Sequence, residues 1–377
     1  MQKPIKICYI LPEYNKNVDS HFYHLYEFLE EASQRADLFL IVEKFTPSNV
    51  AGSDSKKIGL GSRTYIQKFK FMPLRFMEIF LVILKARLKG YKNFYTHYAY
   101  NGAVSAAIIC RIFGGKSFYW NCAMNWLFKQ RKLAGLGYRL SLSLSTFLVT
   151  GGETMKQGYA ENYGLNPEKI KVMPNWINLN RFQNQKSQPR AGSPRAEKLK
   201  NLLFVHWLSK RKGADMIIPT IKHLLSDFPS FEENLRLKVI GDGPYKETLI
   251  EEIKDNKLEK FIEVLGGISN KDIVQYYQKA NIFFMPSMEE GFPRVLLEAM
   301  AMGVPYVASE VGSVREISCE TAQRFLVKSG DVAMFAHKIE ALISDKETYE
   351  KFRQEELEKV QEYSLEKVLN KFIELFT

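Results

Sequence analysis

Cysteine is scarce: four in 377 residues (Cys8, Cys110, Cys122 and Cys319), far apart, with no Cys-x-x-Cys pair and no histidine-rich neighbourhood. That spacing excludes a disulfide framework or a structural zinc site and reads as buried thiols in a reducing compartment. No apolar run approaches the roughly 18 residues needed to span a bilayer. The first apolar stretch, from Ile5 to Leu11, is short and interrupted by Lys6, so it reads as a first β-strand and not as a signal peptide. Acidic residues are outnumbered, 42 Asp and Glu against 53 Lys and Arg, for a net charge of +11. No helix-turn-helix, RNP or zinc-finger pattern accompanies that excess, so no nucleic-acid partner is expected. Internal sequence repeats are absent as well.

The length suits two domains of roughly 100–200 residues each, and 46% apolar residues can fill two cores. The most informative stretch lies near the C-terminal end. Ile282–Met285 is an apolar run that stops at Pro286-Ser287 and gives way to an acidic, glycine-containing loop. A helix restarts with Val295, Leu296, Ala299 and Met300 on one face, ends at Gly303-Val304-Pro305, and leads into a strand at Tyr306-Val307-Ala308. Strand, loop, helix and strand in that order build a parallel sheet, where ligands sit at the C-terminal strand ends and anions lie against helix N-termini. Two of the carboxylates in this unit stand with seven residues between them, Glu290 in the loop and Glu298 in the helix.

This segment resembles the E-x7-E signature of the family 4 retaining glycosyltransferases, group 1 enzymes of GT-B fold that use nucleotide-activated sugars. The resemblance implies an α/β architecture of two Rossmann-like, doubly wound domains facing a central cleft. It also implies that Glu290 touches the hydroxyls of a donor sugar and that Glu298 holds the nucleotide ribose, because carboxylates accept paired hydrogen bonds from vicinal diols. Gly291, Phe292, Pro293, Arg294 and Val295, around the helix N-terminus between them, complete the donor-side candidates. Pro293 brings no amide hydrogen to that set. Leu237 to Pro244 resembles the family's strand ending in Gly-Asp-Gly-Pro, which makes Gly241, Asp242 and Gly243 candidates where small residues admit a ligand. Phe261 to Ile268 is similar to the segment that cups the nucleobase with backbone groups near Gly267 and Ile268. Lys169 to Asn178, followed by Phe182, matches the strand and turn before the second domain.

The family's phosphate-binding segment has the form G-R-L-x-x-x-K-G, and here it reads His206-Trp-Leu-Ser-Lys-Arg-Lys-Gly213. Lys212 fits the lysine, whereas Trp207 stands at the arginine position and cannot neutralise a diphosphate as a guanidinium would. Lys210 or Arg211 is left to supply the second charge. No Asp-x-Asp occurs, so the expectation is no metal and no cofactor beyond a nucleotide-diphosphate sugar as co-substrate. Lys212, a basic neighbour and the amides near Gly291 would then stabilise the leaving group. The N-terminal half matches less closely. The loop from Pro12 to Ser20 has no glycine where the family has a Gly-Gly pair, and Asp19 or Ser20 would cap a helix starting near His21. Phe94 to Gly102 resembles the strand that ends in a histidine near the acceptor, so His97 is a catalytic-site candidate; a packing histidine at a strand end is the other reading. The family's later histidine, expected after Ser117 to Trp120, is missing from Asn121-Cys-Ala-Met-Asn125.

Composition and the resemblance together set the expected boundaries: an acceptor-binding domain over 1–182, a polar linker over 183–198 containing Pro189 and Pro194, a nucleotide-sugar domain over 199–356, and a helix over 357–377 that crosses back to the first domain. Much of the basic excess lies in 63–92, where Arg63, Lys68, Lys70, Arg75, Lys85, Arg87, Lys89 and Lys92 stand against Glu78 alone, interleaved with apolar and aromatic residues. A basic amphipathic helix of this kind reads as a contact for an anionic membrane surface, at roughly 1 kcal/mol per Lys or Arg; a solvated helix packed by its apolar face is the bland alternative. Lys129-Gln-Arg-Lys132 adds a second basic cluster. The expected function is a glycosyltransferase, EC 2.4, that moves a sugar to a glycan or lipid-linked acceptor with retention and without metal, in envelope polysaccharide or glycolipid synthesis. It would work in the cytoplasm, peripherally on the inner face of the membrane. A catalytically weak GT-B partner subunit is one alternative, favoured by Trp207, the missing histidine and the glycine-free first loop. A nucleotide-sugar epimerase on the same fold is another, disfavoured by the placement of the two glutamates.

Overall fold

A computed structural model describes residues 4–15, 23–46, 63–69, 71–128, 132–183, 200–270 and 272–377. The chain divides into two units, one of Met1–Pro174 with Glu366–Thr377, the other of Asn175–Leu365.

The first unit opens with β1 (Lys6–Leu11), buried from its second residue onward. Such a continuous apolar run suits a parallel strand covered by helices on both faces. β2 (Tyr14–Asn15), β3 (Asp37–Val42), β4 (Phe45–Thr46), β5 (Thr64–Ile66), β6 (Asn93–His97), β7 (Lys116–Trp120), β8 (Phe147–Thr150) and β9 (Ile170–Val172) follow, alternating with α1 (Tyr23–Arg35), α2 (Met72–Leu88), α3 (Tyr100–Phe113), α4 (Lys132–Leu144) and α5 (Glu153–Tyr163). Among the described residues, seven strands form one parallel sheet in the order β5-β3-β1-β6-β7-β8-β9, and β2 pairs separately with β4. The winding reverses between β1 and β6.

The second unit contains α6 (Leu179–Gln183), β10 (Lys200–Val205), α7 (Ile217–Asp227), β11 (Leu235–Ile240), α8 (Lys246–Asp255), β12 (Ile262–Gly266), α9 (Val274–Lys279), β13 (Ile282–Met285), α10 (Arg294–Ala301), β14 (Tyr306–Ser309), α11 (Val314–Ile317), α12 (Glu320–Gln323), β15 (Leu326–Val327), α13 (Val332–Ser344) and α14 (Lys346–Lys359). Its parallel sheet runs β12-β11-β10-β13-β14-β15 and reverses between β10 and β13. β13, Ile-Phe-Phe-Met, is buried throughout. α10 is buried on more than one face, from Leu296 to Ala301. The expected pair of doubly wound Rossmann-like units is present.

The observed division departs from the one drawn from composition. Residues 175–182 go with the second unit, because Asn175 Nδ2 donates to the Phe292 carbonyl at 2.7 Å and Ile177 N donates to the Tyr363 carbonyl at 2.9 Å. The C-terminal segment changes unit at Glu366 and not at 357, since Val360 and Tyr363 are buried in the second unit with the Tyr363 ring 5.5 Å from that of Phe292. α15 (Leu365–Glu374) buries Val368, Leu369 and Phe372. The Phe372 ring meets Phe28 and Tyr95 edge-on, at 5.0 and 5.1 Å. Residues 184–199 of the linker region, the cap expected at Asp19 or Ser20, and the basic cluster Lys129–Lys132 fall outside the described side chains.

Candidate active site

At the reversal in the second sheet, His206 directly follows β10 and the loop from Pro286 to Pro293 follows β13. In open parallel sheets ligands bind at such a point, outside the carboxyl ends of the strands. Glu290 is the centre of this one. Its Oε1 accepts from His206 Nε2 at 2.7 Å and from Ser287 Oγ at 2.8 Å, and its Oε2 lies 2.8 Å from Lys212 Nζ. Trp207 N donates to His206 Nδ1 at 3.0 Å, which leaves the ring to present its Nε2 hydrogen to the carboxylate. Burial by itself would raise the pKa of Glu290, but His206 and Lys212 outweigh it and hold the group at about 2, so it is a carboxylate at neutral pH. Lys212 also donates to the Glu289 carbonyl at 3.1 Å. Glu289 has a different partner, Arg211, at 3.0 Å, and burial keeps its pKa above the usual carboxylate value.

The loop that carries Glu290 is fixed by its neighbours. Gly213 has φ +74° and a Cβ there would lie 2.1 Å from the Pro286 carbonyl oxygen; Gly312 has φ +54° and its Cβ would lie 1.6 Å from the Glu290 carbonyl oxygen. Only glycine permits these approaches. Met288 N donates to the Arg211 carbonyl and Ser313 N to the Gly291 carbonyl, each at 3.0 Å. A carboxylate held this way is positioned before any ligand arrives.

The remaining candidates are distributed as follows. Lys210, Arg211 and Lys212 form one 3₁₀ turn, in which Lys210 is exposed with its ammonium 6.0 Å from the centre of the Tyr245 ring. Trp207 is 57% exposed beside them. Gly241 and Gly243 need a different reading from ligand approach: a Cβ at either would strike the chain itself, at the His206 carbonyl oxygen (1.8 Å) or the Leu208 carbonyl oxygen (2.3 Å). Their small size lets the loop after β11 pack on the loop after β10. Asp242 is paired with Lys246 at 2.7 Å, which lowers its pKa. Gly267 is exposed and Ile268 half-buried. Gly291 is partly exposed, Phe292 is buried, and Pro293 is the residue before α10, which begins with Arg294 and Val295. Glu298 is buried within α10, where its Oε2 accepts from the Tyr277 hydroxyl at 3.0 Å and its Oε1 lies 3.9 Å from Arg294. His97 belongs to the first unit. It ends β6, stacks on Trp120 at 4.2 Å, and its Nδ1 is 3.3 Å from the Tyr9 hydroxyl, with 2% of the residue exposed.

His206, Ser287 and Gly312 escaped the sequence reading. His206 carried a usable signal, since it ends the run from Asn201 to Val205. Only the strand order shows that this run neighbours β13. Among the described residues, no group of three or more His, Cys, Asp or Glu side chains is placed to hold a metal ion, and no helix is long and apolar enough to cross a membrane.

Residues 185–359 match the family model of the glycosyl transferases group 1. The match lies wholly within the second unit. The chain is 27% identical over 193 residues to the D-inositol 3-phosphate glycosyltransferase of Geodermatophilus obscurus, across 50% of this chain and 43% of that protein. It is 33% identical over 185 residues to the sulfoquinovosyl transferase SQD2 of Arabidopsis thaliana, across 48% of this chain and 34% of that one. The alignments thus span less than half of either relative. The crystal structure of Anabaena Alr3699/HepE in complex with UDP-glucose superimposes with a TM-score of 0.75 over 98% of this chain and 99% of that chain, at 17% identity. The chain therefore has the GT-B fold.

Proposed function

We propose that the chain transfers a sugar from a nucleotide-diphosphate donor to a glycan or lipid-linked acceptor, with retention and without a metal, in envelope polysaccharide or glycolipid synthesis on the cytoplasmic face of a membrane. The observation that carries this reading is the Glu290–Lys212 pair at the switch point of the family-matched unit. Glu290, ionised and immobilised, accepts from donor-sugar hydroxyls; Glu298 receives the ribose. Lys212, with Lys210 or Arg211 and the amides near Gly291, takes up the charge that develops on the departing diphosphate. The neighbour solved with UDP-glucose supports a nucleotide sugar as the donor class, and the relatives named for D-inositol 3-phosphate and for phosphatidylinositol glycosyl transfer support polar or lipid acceptors. A thermal-shift panel of nucleotide sugars tests it, because a ligand at 100 times its Kd adds about 2.7 kcal/mol of stability. A panel in which none shifts the midpoint would favour the second reading, a weak partner subunit, for which the exposed Trp207 at the usual arginine position is the supporting observation.

The membrane contact falls on α2 and the residues before it. Phe71, Met72, Leu74, Met77, Leu81 and Leu88 are exposed, which is more apolar surface than a solvated helix requires. Two of the nearby cations are held by the protein itself: Arg75 pairs with Glu43 at 3.4 Å, and Arg87 donates to the Gly114 and Phe113 carbonyls at 2.6 and 2.5 Å. Lys68, Lys85 and Lys89 are the cations this reading assigns to an anionic leaflet.

A further inference from the structure

Between α2 and the outer strand β5, the first unit holds a half-open groove of about 830 Å³, lined on the sheet side by Phe39, Thr64 and Tyr65 and on the helix side by Met77, Leu81 and Val82. Small-molecule sites run from roughly 300 to 1,000 Å³. Polarity changes along its length. Phe69, Met77 and Leu81, about half exposed, form an apolar end. Lys85 and Lys89, one and two turns beyond Leu81, stand at the other end with Lys6, whose ammonium donates to the Lys89 carbonyl at 3.1 Å. From Met77 to Lys89 the helix rises about 18 Å.

The two carboxylates in the lining do not neutralise that cationic end. Asp37 is engaged by Arg63 and by the Tyr91 hydroxyl at 2.9 Å. Glu78 accepts from the Tyr65 hydroxyl at 2.6 Å and from the amides of Lys68 and Phe69 at 2.8 and 3.0 Å. A second copy of this chain, itself at +11, would bring like charge to the lysines. An amphiphile with an anionic head complements both ends at once.

We propose that this groove takes one acyl chain of an anionic phospholipid drawn from a leaflet, with the chain along Met77, Leu81 and Val82 and the phosphate against Lys85, Lys89 and Lys6. The inference rests on the membrane contact proposed above and adds to it a defined pocket and a one-to-one stoichiometry. Calorimetric titration of the full chain with dihexanoylphosphatidylglycerol, kept below its micelle-forming concentration, tests the pocket, and sedimentation with long-chain phosphatidylglycerol vesicles tests the surface contact. Saturable one-to-one binding is expected, several-fold weaker for dihexanoylphosphatidylcholine. It should weaken at least tenfold in Val82→Phe, which fills the groove, and several-fold in Lys85→Gln/Lys89→Gln. Should Val82→Phe lower the thermal midpoint, Met77→Glu at a half-exposed position serves instead. Sedimentation with vesicles but no saturable binding of the monomeric lipid would overturn the pocket and leave the surface contact standing. Monomer binding without sedimentation would support the pocket and overturn the surface contact. A dimer of the chain that Val82→Phe dissolves would overturn the pocket as a lipid site.

Discussion

Lys212 Nζ lies 2.8 Å from Glu290 Oε2, and the two side chains are only 12% and 6% exposed. In the proposed reaction the ammonium serves the diphosphate and the carboxylate serves the sugar, so this one contact couples the two halves of the donor site. The pair stays in place because His206 and Ser287 satisfy the other carboxylate oxygen and the Glu289 carbonyl takes a second hydrogen from the lysine.

Lys212→Ala should lower kcat by about 10²–10³-fold, the usual loss when one donor to a developing anion is removed. Lys210→Ala and Arg211→Ala should cost less than about tenfold each, because only Lys212 also bonds Glu290. Steady-state kinetics with the true donor decide the ranking, and equal losses in all three would remove the special role of Lys212.

Acid should unfold the protein partly through Glu290. Its pKa in the folded chain, about 2, lies below the usual 4.5, so its stabilising contribution is complete above about 4.5 and is lost as pH falls towards 2. The shift corresponds to roughly 3 kcal/mol. In Glu290→Gln the fall in thermal midpoint between pH 5 and pH 2 should be shallower than in the wild type; an unchanged slope would mean that the carboxylate is not held as described.

Glu356 acts in the opposite sense. It is buried with its Oε1 accepting from the Tyr306 hydroxyl at 3.0 Å, and burial lifts its pKa to about 7. A raised carboxylate favours the folded state below the usual 4.5 and loses that advantage as pH climbs through about 7. Glu356→Gln keeps the acceptor oxygen and removes the titration. It should raise the thermal midpoint at pH 8 and leave it nearly unchanged at pH 4.5, while Glu43, also raised to about 7 by burial, keeps part of the slope in place.

The strand, loop and helix that carry Glu290 and Glu298 were legible in sequence because the unit is local. β13, the acidic loop and α10 follow one another, so the spacing of Glu290 and Glu298 and the turn at Gly303 report a continuous piece of structure. The partners of Glu290 were hidden because His206 is 84 residues away in sequence and meets it only through the β10–β13 neighbourhood. Gly241 and Gly243 looked like ligand-facing glycines, since a sequence shows that a close approach occurs and does not show what approaches. The boundary at 182 followed polar composition, whereas the true division at Asn175 depends on single hydrogen bonds to Phe292 and Tyr363 that leave no compositional trace.

Gly312→Ala places a methyl group 1.6 Å from the Glu290 carbonyl oxygen at a φ of +54°. The loop must move, so activity should fall at least tenfold and stability by more than the roughly 1–2 kcal/mol of left-handed strain alone. Gly164→Ala is the control: its φ is +64° with nothing within 4 Å of the added carbon. It should lose about that strain energy and keep full activity. Equal effects of the two substitutions on activity would show that the Glu290 loop tolerates displacement.

Hydrolysis of a nucleotide-diphosphate sugar, followed as release of free sugar and nucleoside diphosphate, tests the central claim most directly. The wild type should release both from at least one sugar that shifts its thermal midpoint. Glu290→Ala should reduce that rate at least a hundredfold while its circular dichroism spectrum stays unchanged, and Glu298→Ala should act mainly by raising KM. Wild-type turnover in Glu290→Ala, with the protein folded and the donor bound, would contradict the assignment of this carboxylate to the reacting sugar.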